Sequence, residues 1–145
     1  MDPTRLWAEV ELTVEFFDVD SMQIVWHGNY LKYMERARCA LLDKIGYNYQ
    51  QMIASGYAWP VVEARLKYIK PLAFGQSVRI RATLVDYENR LKLAYRIYDP
   101  LAEGSIFEAH SVQMAVDART RESCFVSPKA AVQRIESALQ SLGGE

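Results

Sequence analysis

Cysteine and histidine are both scarce in this chain, with two of each among 145 residues. Cys39 and Cys124 form no Cys-x-x-Cys and no His–Cys grouping at zinc spacing. The sequence therefore offers neither a zinc site nor a dithiol redox centre, and no metal is expected. Two reduced thiols suit a cytosolic chain, although spacing alone leaves a disulfide open. Long apolar runs are missing, so no membrane-spanning helix is expected. The opening stretch MDPTRLWAEVEL carries an early acid and no signal-like apolar core, which points to a soluble, cytoplasmic protein. Charge of one sign is lacking too. Seventeen basic residues face eighteen acidic ones, a net charge of −1, so no global field favours nucleic acid or an anionic membrane. Repeats, low-complexity tracts and interdomain linkers are absent.

Half of the residues are apolar. That is enough for a core, and residues 1–145 read as a single domain. Over residues 9–17, Val10, Leu12, Val14 and Phe16 alternate with Glu9, Glu11, Thr13 and Glu15, the period of a strand with one buried face. Residues 18–28 read as a loop. From Asn29 the period changes: Tyr30, Met34, Ala37, Leu41 and Ile45 define a helix of about four turns, stopped by Gly46. A short helix within 47–57 ends at Gly56. After Pro60, Val62, Ala64, Leu66 and Tyr68 alternate until Pro71 and Gly75. Val78, Ile80, Ala82 and Leu84 form the next apolar face, and Leu91, Leu93, Tyr95 and Ile97 another, across a turn at Glu88-Asn89. Residues 106–117 predict a strand with His110, Val112, Met114 and Val116 on one face, which makes His110 a core residue. Residues 121–126 suggest a short sixth strand. Residues 128–141 read as a helix opened by Ser127-Pro128 as N-cap and N1.

Strands in succession joined by short turns pair antiparallel, and the one long helix among them must bury itself on one sheet face. The fold class is α+β, an antiparallel sheet wrapped around one long central helix. The opposite sheet face then needs cover, which self-association supplies.

Chemistry concentrates in DVDSMQIVWHGNY, residues 18–30. A helix N-terminus presents unpaired N–H groups and partial positive charge, which can hold an anion or stabilise an oxyanion. Asp20 lies upstream of that mouth as a candidate nucleophile or general base. His27 and Gly28 sit at the mouth, and Gly28 removes a side chain where a ligand carbonyl could approach the backbone. Structural roles account for several neighbours. Asp and Asn ahead of a helix serve as caps, Asp18 suits an Asx-type turn, and Glu35 with Arg38 makes an i,i+3 ion pair. The residues by themselves mark a site at 18–28 without naming its reaction.

The stretch VEFFDVDSMQIVWHGNYLKYMERARCALLD resembles the start of hotdog-fold acyl-CoA thioesterases of the 4-hydroxybenzoyl-CoA thioesterase family, with the Tol-Pal-associated branch most alike. Asp18, Asp20, Val25, Trp26, His27 and Tyr30 fall in register with the family pattern, followed by Tyr33, Glu35, Ala37 and Arg38. VVEARLKYIKPLAFGQSVRI is similar to the family's strand leading to a Pro-x-x-x-Gly turn. The resemblance implies a hotdog fold, homo-oligomers built as a dimer or dimer of dimers (a homotetramer), and active sites at the dimer interface. It implies Asp20 as the carboxylate that attacks a thioester carbonyl or activates water, and the backbone at His27 and Gly28 as the polarising donor. The His27 side chain would position Asp20 or substrate. Tyr30, Val25 and Trp26 are implied at the acyl pocket. Lys67, Lys70, Arg90 and Lys92 are candidates for the phosphates of coenzyme A, which belongs to the substrate; no cofactor is implied. Two positions depart from the family, Ser21 where Pro is frequent and Gln23 where Gly is frequent. If position 23 needs positive φ, Gln is strained there. Two other readings compete: a non-catalytic acyl-CoA-binding hotdog protein, and a hotdog hydratase or dehydratase acting on an enoyl thioester.

Overall fold

The computed structural model describes residues 1–143. After a 3-10 turn at Pro3–Arg5 come strand β1 (Trp7–Thr13), 3-10 turns at Phe16–Asp18 and His27–Asn29, helix α1 (Tyr30–Ile45) and helix α2 (Tyr49–Ala54). Strands β2 (Tyr57–Ala58), β3 (Val61–Tyr68), β4 (Ser77–Asp86), β5 (Leu91–Tyr98), β6 (Ser105–Gln113) and β7 (Val116–Asp117) follow, and then helix α3 (Lys129–Gly143). Five strands form one antiparallel sheet in the order β1-β4-β5-β6-β3, while β2 and β7 pair separately.

The alternating residues of β4 and β5 all point inward. Ile80, Ala82, Leu84, Leu93 and Ile97 are fully buried against Met34, Ala37, Leu41 and Ile45 of α1. Each of the Ile, Leu and Met side chains contributes roughly 1.5–3 kcal/mol of burial. The helix ends at Gly46, whose left-handed φ of 82° lets its N–H return to the carbonyls of Leu42 and Asp43. The Arg134 guanidinium from α3 donates to the Gly46 carbonyl and docks α3 on this end of α1. Cys39 and Cys124 are half-buried free thiols.

Several expectations are corrected. The first strand begins at Trp7 and stops at Thr13, short of 17. The Asp18 carboxylate accepts from the Glu15 N–H and turns the chain, leaving Phe16 76% exposed. In β6 the inward set is Phe107, Ala109, Ser111 and Gln113, and His110 points outward. The apolar alternation misleads there because two inward residues are polar. Ser111 is bonded to the Tyr95 hydroxyl, and Gln113 donates to the Trp59 carbonyl. Residues 121–126 make only an isolated bridge, Val116 to Ser123. Ser127 precedes α3, but its buried hydroxyl finds no partner among the described residues.

β3 pairs with β6 and not with β4, the next strand in sequence, and its alternation does not translate into burial. As an edge strand it is only thinly covered: Leu66 is half-buried against the core and Tyr68 meets Tyr30 and Phe107, while Val62 is 55% exposed. The outer face of β3, β5 and β6 carries Glu63, Arg65, Lys67, Lys92, Arg96, Glu108 and His110, a charged surface at home in water. The surface that calls for cover is therefore the inner side and free edge of β3.

Candidate active site

The loop between β1 and α1 is a tight hairpin. Val19 bridges Val25, the Asp20 N–H donates to the Ile24 carbonyl, and the Gln23 N–H donates to the Asp20 carbonyl. Three residues, 21–23, close it, and such loops place their last residue in the left-handed region. Gln23 does so at φ 67°. The bend that glycine would favour is kept with glutamine in place. The hairpin is pinned on both sides. Val25 N–H donates to the Leu72 carbonyl and Ile24 bridges Ala73, while the Asp18 carbonyl accepts from Trp26 N–H and from Asn29 Nδ2 at 2.8 Å. Asn29 therefore does not cap α1; its side chain reaches back to hold the loop.

The two carboxylates of the loop have different surroundings. Asp18 is 8% exposed, engaged by the Glu15 N–H and faced by Tyr33, whose phenol is pushed up first by burial and then by that carboxylate. Asp20 is half-buried. Its Oδ1 accepts from the Met22 N–H at 2.8 Å, an Asx turn that fixes the side chain. Its Oδ2 has no partner among the described residues. Asp20 borders a cleft of about 430 Å³ walled by His27, Tyr30, Tyr68, Ile69 and Lys70, among others. A depression of about 460 Å³ lies on the far side of the loop, between the end of β1 and Lys32 and Arg36. Its buried carboxylate is Asp18, already occupied, so the chemistry favours the Asp20 cleft.

At the mouth of α1 the Asn29 N–H is taken by the Trp26 carbonyl, whereas the N–H groups of His27 and Gly28 meet no acceptor among the described residues. These are the free donors that a helix start leaves. Tyr30 forms the floor of the cleft. It is buried, stacked on Phe107 at 4.7 Å between ring centroids and met edge-on by Tyr68 at 5.0 Å. Burial, with Tyr68 beside it, raises its phenol pKa.

Among the expected site residues, Asp20, Val25, His27, Tyr30 and Lys70 come together around this cleft. Gly28 stands at its helix mouth, but the space above it holds the Trp26 indole in place of an open approach. A β-carbon there would collide with Cζ3 and Cη2 of that ring. Trp26 also packs at 5.1 Å from the His27 ring and is half exposed. Lys67, Arg90 and Lys92 do not line the cleft. Lys67 lies on the outer face of β3, Arg90 is paired with Asp86, and Lys92 shares a separate shelf with Glu63, Arg65 and His110. Glu35 is bound by Arg38 and by the Tyr49 hydroxyl, at 2.6 Å from the latter, and so is not a free base. Sequence reasoning missed Tyr68, Ile69, Met22, Ile24 and Pro71 as cleft residues. The one signal for Tyr68 was its place as the last inward residue of β3 before the Lys70-Pro71 break.

Residues 14–136 match the thioesterase-like superfamily. The chain belongs to this family. As a member of the thioesterase-like superfamily it is a thioester hydrolase on a hotdog scaffold. A candidate acyl-CoA thioesterase of Bacillus subtilis, YneP, is 37% identical over 111 residues, covering 76% of this chain and 80% of that protein. A 1,4-dihydroxy-2-naphthoyl-CoA hydrolase of Thermosynechococcus vestitus is 30% identical over 101 residues, 68% of each chain. The solved 1,4-dihydroxy-2-naphthoyl-CoA thioesterase from Synechocystis superposes with a TM-score of 0.80 at 19% identity, covering 94% of this chain and 98% of that one. The DHNA-CoA thioesterase from Staphylococcus aureus gives 0.79 at 20% identity over 95% and 93%. These superpositions speak for the fold that all the thioesterase-like chains share.

Proposed function

We propose that the protein hydrolyses an acyl-CoA thioester in the Asp20 cleft. The observation that carries this reading is a carboxylate oxygen, Asp20 Oδ2, bordering a cleft that His27 also lines, beside a helix mouth where the N–H groups of His27 and Gly28 meet no acceptor among the described residues. The thioester carbonyl oxygen accepts from these donors. Negative charge gathers on that oxygen as the tetrahedral intermediate forms, so the donors stabilise the transition state more than the ground state; one such donor is worth roughly 3 kcal/mol. Asp20 either attacks the carbonyl carbon, giving a mixed anhydride that water then opens, or takes the proton of an attacking water. Coenzyme A leaves as a thiolate. A thiol of pKa about 8.5 is a good enough leaving group that no acid at sulfur is required.

The aromatic surface of Tyr30 and Tyr68, backed by the buried Phe107, suits a flat acyl group, and two of the relatives described above are named for a naphthoyl-CoA substrate. An aroyl-CoA is therefore the first substrate to try. Lys70, at the rim, is the basic residue placed to meet a coenzyme A phosphate. The uncovered inner side and edge of β3 support a homodimer that completes the cleft from a second copy.

The binding-only reading rested on Ser21 and Gln23. Gln23 holds the left-handed bend and Asp20 keeps its turn, which favours catalysis. The test is thiol release from acetyl-, medium-chain, palmitoyl- and 4-hydroxybenzoyl-CoA, beside Asp20→Asn. Turnover of one class that falls by about 10²-fold or more in the variant supports the reading, on the scale of losing a key catalytic interaction. Tight coenzyme A binding without turnover, unchanged in Asp20→Asn, overturns it in favour of a binding protein.

A further inference from the structure

The hydroxyl of Tyr68, the last residue of β3, donates to the His27 carbonyl oxygen at 2.9 Å across 41 positions of sequence. That carbonyl belongs to the peptide whose other end is the Gly28 N–H, one of the two free donors at the helix mouth. We infer that Tyr68 is a positioning residue for the oxyanion-binding backbone, holding the His27–Gly28 peptide plane and strengthening its N–H as a donor. The inference rests on the thioesterase reading of the cleft.

Three observations converge on it. A hydrogen bond into a peptide carbonyl polarises the whole amide, and chains of such bonds reinforce one another by about 10–30% per bond. The Tyr68 ring is fixed from several sides, edge-on to Tyr30 at 5.0 Å, edge-on to the His27 ring at 6.5 Å, and beside Phe107 at 5.6 Å. Its hydroxyl is therefore aimed rather than free to wander. The His27–Asn29 turn, in contrast, is short and lacks a side-chain cap, since its N-cap position is held by Trp26, whose indole offers no acceptor. Without an outside anchor the first peptide of this turn could tilt, and a donor tilted away from the developing oxyanion loses its worth steeply. Tyr68 supplies that anchor from the sheet edge.

The Tyr68→Phe variant removes the hydroxyl and keeps every ring contact, so its thermal midpoint should stay within a degree or two of the parent. If a donor is worth about 10²–10³ in kcat, losing about 10–30% of its strength lowers kcat roughly two- to eightfold, with further loss from tilting. The expected result is a fall in kcat of about twofold or more, KM within about twofold, and a shifted Gly28 amide cross-peak in the 15N–1H spectrum of the resting protein. The spectrum reads the peptide itself and needs no turnover. A change of less than about twofold in kcat, a loss carried by KM alone, or an unmoved Gly28 amide would overturn the inference and leave Tyr68 as cleft wall. The thioesterase reading fails separately. Absence of thiol release by the wild-type protein sinks both, whereas turnover abolished by Asp20→Asn and untouched by Tyr68→Phe sinks the Tyr68 inference alone.

Discussion

The Gly28 α-carbon lies beneath the Trp26 indole, so close that no β-carbon fits between them. Glycine is needed here for space and not for a left-handed φ, because Gly28 does not belong to the positive-φ set. Trp26 is half exposed, so its indole has solvent to move into. Gly28→Ala should therefore fold, losing about 1 kcal/mol as an overpacking change, while Trp26 moves off the mouth and reports it by a fluorescence shift. Alanine retains the backbone N–H, so the activity lost should come from the displaced indole. The double variant Gly28→Ala, Trp26→Ala should be more stable than additivity of the singles allows. Additive losses in thermal unfolding would show that the two residues do not press on each other.

Gln23 carries the cost of a left-handed backbone without glycine's freedom. Gln23→Gly relieves roughly 1–2 kcal/mol of local strain and gives back about 0.4–1 kcal/mol through the more flexible unfolded chain. A net gain between about 0 and 1.6 kcal/mol in chemical denaturation is expected, with thiol release altered less than about threefold because the loop already holds the bend. Gln23→Val should destabilise, since a β-branched residue tolerates this φ worst. A stable Gln23→Val would show that the loop relaxes to another conformation.

How much of this was legible from the sequence depends on what each residue contacts. β4 and β5 were readable because Val78 to Leu84 and Leu91 to Ile97 are apolar at every inward position. β6 was misread because its inward Ser111 and Gln113 are satisfied by Tyr95 and the Trp59 carbonyl, partners that no local pattern reveals. β3 alternates correctly but is thinly covered, with Leu66 half-buried and Val62 exposed, because alternation reports a face and not the neighbour that covers it. Asp20 stood out by its place ahead of the helix mouth, family resemblance added a catalytic role, and Asp18 read as a turn residue. The hairpin keeps that division but moves the Asx turn to Asp20: Asp18 is engaged by the Glu15 N–H and faced by Tyr33, and Asp20 Oδ2 has no partner among the described residues. Tyr68 was hidden because its partner is a backbone carbonyl, which has no sequence signature.

The Tyr49 phenol is pushed up to about 12, first by burial and then by its hydrogen bond to Glu35. An unfolded tyrosine titrates near pH 10. The fold thus prefers the neutral phenol, and the resulting stabilisation is complete below about pH 10 and disappears as pH rises through about 12. Between those values the unfolded chain releases a proton that the native chain keeps, so stability must fall with pH. Urea midpoints measured across this window should decline, and Tyr49→Phe should decline less steeply. Equal slopes for the two proteins would remove Tyr49 from the alkaline transition.

The bare edge of β3 makes the sharpest demand on a second copy. Val61, Val62, Tyr68 and Ile69 are exposed on or beside this strand, with Leu31 and Ile53 exposed on the helices. A long unpaired apolar edge invites pairing with another chain. It lacks the usual deterrent, because the charges of β3, Glu63, Arg65 and Lys67, all point to the outer face. Edge-to-edge pairing of two copies would satisfy the free backbone groups and cover the inner side at once. Leu66→Asp places a charge on that inner side, opposite Ala109 of β6 and two residues from Tyr68. Light scattering should find the parent as a dimer or a multiple of one, and the variant shifted to monomer. Thiol release should fall with the shift, since the strand that would pair also carries Tyr68 at the cleft wall. A Leu66→Asp protein that stays dimeric would move the interface elsewhere, to the helical side or the charged outer face of the sheet.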